Sequence, residues 1–162
     1  MNRWGIGLSV GFVTLSYGLP AAYLTLQFPG RLAINRIPYE VQAIFGLLLG
    51  LLGAMTYASS LHRLNEGLRR SVLVTTGPYA VVRHPVYASW MFILLPATAL
   101  LLKSWLLLAA PAVAYAAFRI LVSKEENTLE SMFGETYRQY KRTVPGLFPA
   151  FRHLRIQNRE VE

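Results

Sequence analysis

The stretch PVYASWMFILLPATALLLKSWLLLAAPAVAYAAFRILV, Pro85 to Val122, decides the fold. It holds two apolar runs separated by Lys103-Ser104, and its only other charge is Arg119. A membrane span needs about 20 mostly apolar residues. So short a polar break between two such runs predicts an antiparallel helical hairpin, with spans over 86–102 and 105–122. Pro96 interrupts the first helix and Pro111 is expected inside the second.

Two more apolar runs lie upstream. The run from Trp4 to Phe28 is uncharged and ends at Pro29-Gly30; it reads as a retained first span, too long for a signal peptide and without a small-residue cleavage site. Gly7 and Gly11 share one face, and Pro20 is expected to kink the helix. Arg31 to Pro38 is a short polar connection. The second span, Glu40 to Leu61, carries a stripe of Gly46, Gly50, Gly53 and Ala54 suited to close helix contact. No strand-turn-helix setting surrounds these glycines, so they are not a phosphate loop.

The composition agrees. Hydrophobic residues make up 54% and charged residues only 15% of the 162-residue chain, well below the roughly 25% charged of soluble domains. The fold class is therefore all-α: a multi-pass transmembrane helical protein of about four spans and a C-terminal amphipathic helix. The whole chain, 1–162, is expected to form one membrane domain: two N-terminal spans in 1–61, a core of polar blocks around the hairpin in 62–149, and a basic tail in 150–162. The net charge of +8 is the cationic bias of one membrane face, not a nucleic-acid footprint. With four spans, Arg3, Arg63, Arg69, Arg70, Arg83, Arg119, Lys124 and every Lys or Arg beyond it share one side, against Arg31, Arg36 and Lys103 on the other. The first side is expected to face the cytoplasm, in the cell membrane if the source is prokaryotic. With no cysteine and three histidines without ligand spacing, no metal site is expected.

Two polar blocks lie on that side. In HRLNEGLRRSVLVTT, His62 to Thr76, a turn is expected at Asn65-Glu66-Gly67. GPYAVVRHPVY, Gly77 to Tyr87, follows: Gly77-Pro78 signals a turn, and Pro85 suits the first turn of a helix, putting His84 at its cap. The positive end of that helix favours a neutral imidazole. Tyr79, Tyr87 and Trp90 are either an interfacial belt or an aromatic wall for a cationic ligand. In the second block, Leu129, Phe133, Tyr137, Tyr140 and Val144 recur at helical spacing, with Gly134 marking a bend. Glu125 falls on this apolar stripe, where a carboxylate needs a partner; Arg83, His84 and Arg119 are the candidates. Arg142 and Lys141 suit an anionic lipid surface.

LVTTGPYAVVRHPVY (Leu73 to Tyr87) followed by EENTLESMFGETYRQYKRTVPGLFP (Glu125 to Pro149) resembles the isoprenylcysteine carboxyl methyltransferase family, whose superfamily includes the phospholipid methyltransferases. The resemblance covers Leu64 to Pro149. It implies an integral membrane methyltransferase that uses S-adenosyl-L-methionine without a Rossmann fold and acts on a lipidic or hydrophobic acceptor. Carried over by position, it implies cofactor contacts at Val72, Leu73, Val74, Tyr79, His84, Pro85, Val86, Tyr87 and Glu125. A family arginine one turn before the glutamate falls here on Leu121, so Arg119 is expected to take its place beside Glu125 in catalysis. Ser71, histidine in some relatives, is a second departure. Two other classes stay open: a sterol-type membrane reductase binding NADPH, and a non-catalytic membrane interaction protein.

Overall fold

The computed structural model describes residues 6–149, so the start of the first run at Trp4 and the basic tail 150–162 lie outside the described residues. Within them the chain is helical: α1 (Gly7–Gln27), α2 (Pro29–Leu32), α3 (Tyr39–Arg70), α4 (Pro78–Val81), α5 (Pro85–Ser89), α6 (Leu95–Leu101) and α7 (Ala110–Thr143). The one β-type pairing among the described residues is an isolated bridge between Ala33 and Ser104. Three helices are long and apolar enough to cross a membrane, and the continuous helical run Pro85–Leu101 is a shorter apolar fourth. Large apolar side chains of α1 and α3, such as Phe12, Leu19, Leu47 and Leu51, stand exposed, as lipid-facing surfaces require. The protein is an all-α, multi-pass integral membrane protein.

The hairpin forms where expected, with two differences in its proline positions. Between α5 and α6 the helix widens into a π turn over Trp90–Leu94. Pro96 follows directly; it lacks an N–H, and its ring clashes with the carbonyl of a regular preceding turn, so a widened turn lets the run continue. Pro111 does not interrupt α7 but sits at its first turn, because Trp105 to Ala109 is used up in turns and a single 3-10 turn, Leu107–Ala109. A proline there removes no hydrogen bond. The reversal itself needs Lys103 in the left-handed region, at φ 51°.

The second span also differs from expectation. α3 does not stop at Leu61. Its 32 residues measure about 48 Å at 1.5 Å per residue, more than the roughly 30 Å hydrocarbon core, so its last turns project beyond the membrane. Asn65, Glu66 and Gly67 are helical, not a turn. Gly67 is there because the returning connector crosses it: a Cβ would collide with the Val74 side chain and stand 3.0 Å from the Val72 carbonyl oxygen. The helix ends instead at Ser71, left-handed at φ 53° and ψ 38°. The connection after α1 likewise contains a helical turn, α2.

At one end the molecule is pinned. Ile34 N donates to Lys103 O at 2.7 Å and Trp105 N to Leu32 O at 3.1 Å. The buried hydroxyls of Thr25 and Ser104 meet at 2.7 Å, and Tyr17 Oη donates to Leu106 O at 2.9 Å. From this end α1 packs along α7, while α3 packs along α5, the π turn and α6. α1 and α3 share no extended contact, so among the described residues the opposite end is open between them.

The glycine stripe of α3 faces α6 as its spacing predicts. A Cβ on Gly46 would lie 2.9 Å from the Leu101 side chain and 3.3 Å from the Ala97 carbonyl; on Gly53 it would lie 2.7 Å from Leu94; on Gly50 it meets only Ala97 Cβ, at 4.0 Å. Gly46→Ala and Gly53→Ala should therefore each destabilise the protein by about 1–3 kcal/mol, the usual effect of overpacking, while Gly50→Ala stays neutral. Thermal unfolding of the three variants in detergent checks the contrast; equal shifts at 46 and 50 would refute it.

Candidate active site

The open end is where the two polar blocks meet. The apolar run of α7 ends at Val122 and the helix continues, so Glu125 and Glu126 stand past the hydrocarbon core. Pro85 starts α5, and His84 is the residue before it, at φ −123° and ψ 60°. Its imidazole is buried between the two carboxylates: Nδ1 lies 3.6 Å from Glu125 Oε1 and Nε2 lies 3.4 Å from Glu126 Oε1. The ring packs edge-on against Phe118, with centroids 5.3 Å apart.

Each carboxylate has further partners. Tyr87 Oη donates to Glu125 Oε2 at 2.9 Å, and the Ile6 amide donates to the same oxygen at 3.2 Å. Arg83 Nη2 pairs with Glu126 Oε1 at 2.6 Å, and Lys141 Nζ pairs with Oε2 at 2.8 Å. Arg83 Nη1 also donates to Val144 O at 2.6 Å. Behind it the backbones of the two blocks join directly: Arg83 N donates to Pro145 O at 2.8 Å and His84 N to Gly146 O at 3.0 Å. Tyr140 Oη closes the seam on Tyr79 O at 2.7 Å.

These contacts reverse the expectation of a neutral imidazole. Burial disfavours the His84 cation, but the Glu125 and Glu126 carboxylates facing its two ring nitrogens outweigh it and raise the His84 pKa above its ordinary 6.5. The same balance runs the other way for Glu126. Burial would raise its pKa, yet His84, Lys141 and Arg83 hold it well below the usual carboxylate range. Two carboxylates at contact distance, not the helix end, set the charge on the ring.

Beside this cluster lies a cavity of about 510 Å³, within the roughly 300–1,000 Å³ of small-molecule sites. Its wall includes Val72, Leu73, Val74, Tyr79, His84, Val86, Tyr87 and Glu125. Of the residues the sequence singled out, two stand elsewhere. Pro85 is buried but off the wall. Arg119 faces a separate cavity of about 420 Å³ behind Arg83, His84 and Glu126. Six residues separate it from Glu125, which places the two about 120° apart around a helix of 3.6 residues per turn. The expected pairing of Arg119 with Glu125 is therefore not formed. Leu121 is packed against the apolar cluster of Val10, Met91 and Phe118.

Other wall residues were not anticipated as site residues. Tyr137, read as part of an apolar stripe, is fully buried, and its hydroxyl has no hydrogen-bond partner; neither has Arg83 Nε. Both residues line the cavity. Gly7 and Gly11, read as a packing pair, line it too; a Cβ on Gly11 would meet nothing within 4 Å. Arg83 and Glu126 lie inside the quoted blocks, yet only the contact between those blocks distinguishes them from interfacial charges. At Gly134 the helix breaks, with φ 55° and ψ −128°. There α7 bends so that Arg138 Nε reaches Glu130 Oε1 at 2.8 Å, eight residues back, and carries Tyr137 and Tyr140 over the cavity.

Removing one member of a largely buried ion cluster leaves the others uncompensated. Glu126→Gln should lower stability by about 3 kcal/mol, read from unfolding in detergent, and Lys141→Gln by much less, since its side chain is 39% exposed. The His84 contribution has a pH sign. A raised folded-state pKa gives stability that is complete below pH 6.5 and fades as pH rises through the raised value. Wild type should thus lose thermal stability as pH rises above 6.5, and His84→Gln should flatten that slope; a parallel slope in both proteins would remove the imidazolium from the account.

Residues 42–131 match the model of the isoprenylcysteine carboxyl methyltransferase family. A protein-S-isoprenylcysteine O-methyltransferase of Xenopus laevis is 28% identical over 119 residues, covering 72% of this chain and 41% of the relative. Its counterpart in Schizosaccharomyces pombe is 39% identical over 79 residues, 48% of this chain and 33% of the relative. The nickel-cobalt-cadmium resistance protein NccN of Alcaligenes xylosoxydans xylosoxydans is 32% identical over 93 residues, 57% of this chain and 43% of the relative. The chain spans less than half the length of these relatives. The family match covers more than half of this chain and includes the hairpin, the Gly77–Tyr87 block and Glu125-Glu126: the chain belongs to the isoprenylcysteine carboxyl methyltransferase family.

Proposed function

We propose that the protein is a membrane methyltransferase that uses S-adenosyl-L-methionine and methylates a lipidic or hydrophobic acceptor. The observation that carries this is the 510 Å³ cavity at the junction of the two family blocks. Its wall offers one carboxylate, Glu125, beside aromatic rings and apolar side chains. A sulfonium cofactor with a polar amino-acid end fits that set: tyrosine faces suit a cation, and Tyr137 Oη and Arg83 Nε are buried without partners. Tyr79, His84, Val86, Tyr87 and Glu125 would hold it, with Val72 to Val74 against its apolar parts. When bound, it supplies an electrophilic methyl group. Residues 62–149 form most of this core, with Gly7, Leu8 and Gly11 of α1 and Tyr57 and Leu61 of α3 completing it.

The chain's own residues have three tasks. Glu125, held by Tyr87 and the Ile6 amide, keeps a fixed negative charge beside the bound cation. Tyr137 and Tyr140 shield the cavity from water, which strengthens that charge. The helices orient the acceptor, and alignment alone accounts for a large part of such a rate. The acceptor's route is lateral. The cavity reaches Leu8 and Gly11 of α1 and Tyr57 and Leu61 of α3, and those two helices leave a gap between them. A carboxylate acceptor needs no general base, whereas an amine or hydroxyl does. The charge bias of the polar blocks turns the site to the cytoplasm.

Transfer of labelled methyl from S-adenosyl-L-methionine into a membrane lipid extract is the test. Wild type should label a lipid product, and Glu125→Gln should label it at least about 30-fold more slowly, in line with loss of a preorganised charge. Arg119→Gln, outside this cavity, should stay within about two-fold of wild type. Equal rates for wild type and Glu125→Gln would remove Glu125 from the site, and tighter binding of NADPH than of S-adenosyl-L-methionine would overturn the assignment.

A further inference from the structure

The second cavity has no task in methyl transfer. It measures about 420 Å³ and lies between α7 and the segment Pro145 to Phe148. Arg83 and His84 separate it from the main cavity, since both line each of the two. Its charged groups are Arg83, His84, Arg119 and Glu126. Glu126 is already held by Arg83, Lys141 and His84. Arg119 is exposed and has no ion-pair or hydrogen-bond partner among the described residues, and the exposed Ser123 hydroxyl, one turn on, has none either. The cavity is thus an unbalanced positive site with a hydroxyl donor one helical turn from its cation.

Its depth and its other walls narrow the occupant. Arg119 lies five residues, about 7.5 Å along the helix, on the membrane side of Lys124. A guanidinium at that level reaches the headgroup layer while its stem stays in apolar surroundings. Phe148 is 57% exposed and stacks at 4.9 Å on Phe92 and at 6.1 Å on Tyr115. That aromatic shelf continues the cavity toward the bilayer. A soluble anion would use the guanidinium and leave the shelf bare; an uncharged lipid would use the shelf and leave the guanidinium unpaired.

We propose that the Arg119 cavity binds the phosphate of an anionic phospholipid, with Arg119 and Ser123 on the headgroup and the Phe148 shelf against its chains. The lipid then bridges α7 and the Pro145–Phe148 segment, whose backbone carbonyls hold Arg83 and His84 in place. It is a lipid site separate from the acceptor's route, because it lies on the other side of the Arg83–His84 wall.

Native mass spectrometry of the full chain in detergent, titrated with phosphatidylglycerol, phosphatidylcholine or inorganic phosphate, tests this. Phosphatidylglycerol should be retained, and Arg119→Gln should weaken its retention about ten-fold, the loss of one charge-assisted contact. Lys124→Gln, an exposed neighbour outside the cavity, should leave retention within about two-fold. Equal losses in the two variants mean diffuse surface charge and overturn the site. Phosphatidylcholine held as tightly as phosphatidylglycerol overturns the role of Arg119, and displacement of the lipid by inorganic phosphate overturns the lipid assignment. If Arg119→Gln does not fold, Phe148→Ala decides, since that ring is exposed: weaker retention supports the site and unchanged retention overturns it.

Discussion

A buried imidazole clamped between two carboxylates holds this end of the molecule together. Ionised groups so near a membrane are tolerated when they neutralise one another, and here the balance is assembled from distant parts of the chain. Arg83 and His84 come from the residues before α5; Glu125, Glu126 and Lys141 come from α7; the Ile6 amide comes from the start of α1. No single helix could bury these charges alone. Once they meet, the backbones beside them are drawn into the hydrogen bonds of Arg83 and His84 with Pro145 and Gly146, and the cavity wall is formed as a by-product of charge balance.

This explains the division of labour within the adjacent pair Glu125-Glu126. Glu126 faces three cations and serves the fold. Glu125 shares His84 with its neighbour but turns its other oxygen to Tyr87 and Ile6 on the cavity side. Consecutive positions on a helix differ by about 100°, so one carboxylate points into the ion cluster and the other along the cavity wall. A double carboxylate at the end of an apolar span is thereby a bracket, holding a single histidine from two directions.

Most of the helical layout was legible in the sequence because apolar run length and polar breaks are direct consequences of bilayer thickness. The hairpin at Lys103-Ser104, Pro85 as a helix start and Gly134 as a break all follow from local chemistry. What was not legible required knowing what lies opposite a residue. Gly67 looks like a turn glycine until Val72 and Val74 are seen crossing it. Pro111 looks internal until Trp105 to Ala109 proves to be a slow turn. Tyr137 looks like core, and only the cavity beside it reveals a hydroxyl without a partner. Arg119 has the right charge for the site and the wrong helical face, an error that counting residues around α7 exposes. The charge state of His84 depends on two carboxylates forty residues away in sequence, beyond the reach of any local rule.

The pinned end of the bundle has a mechanical consequence. Thr25, Ser104, Ile34 and Trp105 join the ends of α1 and α3 to the tip of the hairpin, and farther along no extended contact ties α1 to α3. α1 is held at both tips, by the Thr25–Ser104 contact at one and the Ile6 amide on Glu125 at the other, while α3 stays packed on α5 and α6. A helix 21 residues long spans about 31 Å at 1.5 Å per residue, so a tilt of a few degrees at the Thr25–Ser104 contact moves the far tip by ångströms. Such a tilt would pull the Ile6 amide off Glu125, so a pair of hydroxyls on one face of the membrane helps to keep a carboxylate contact on the other.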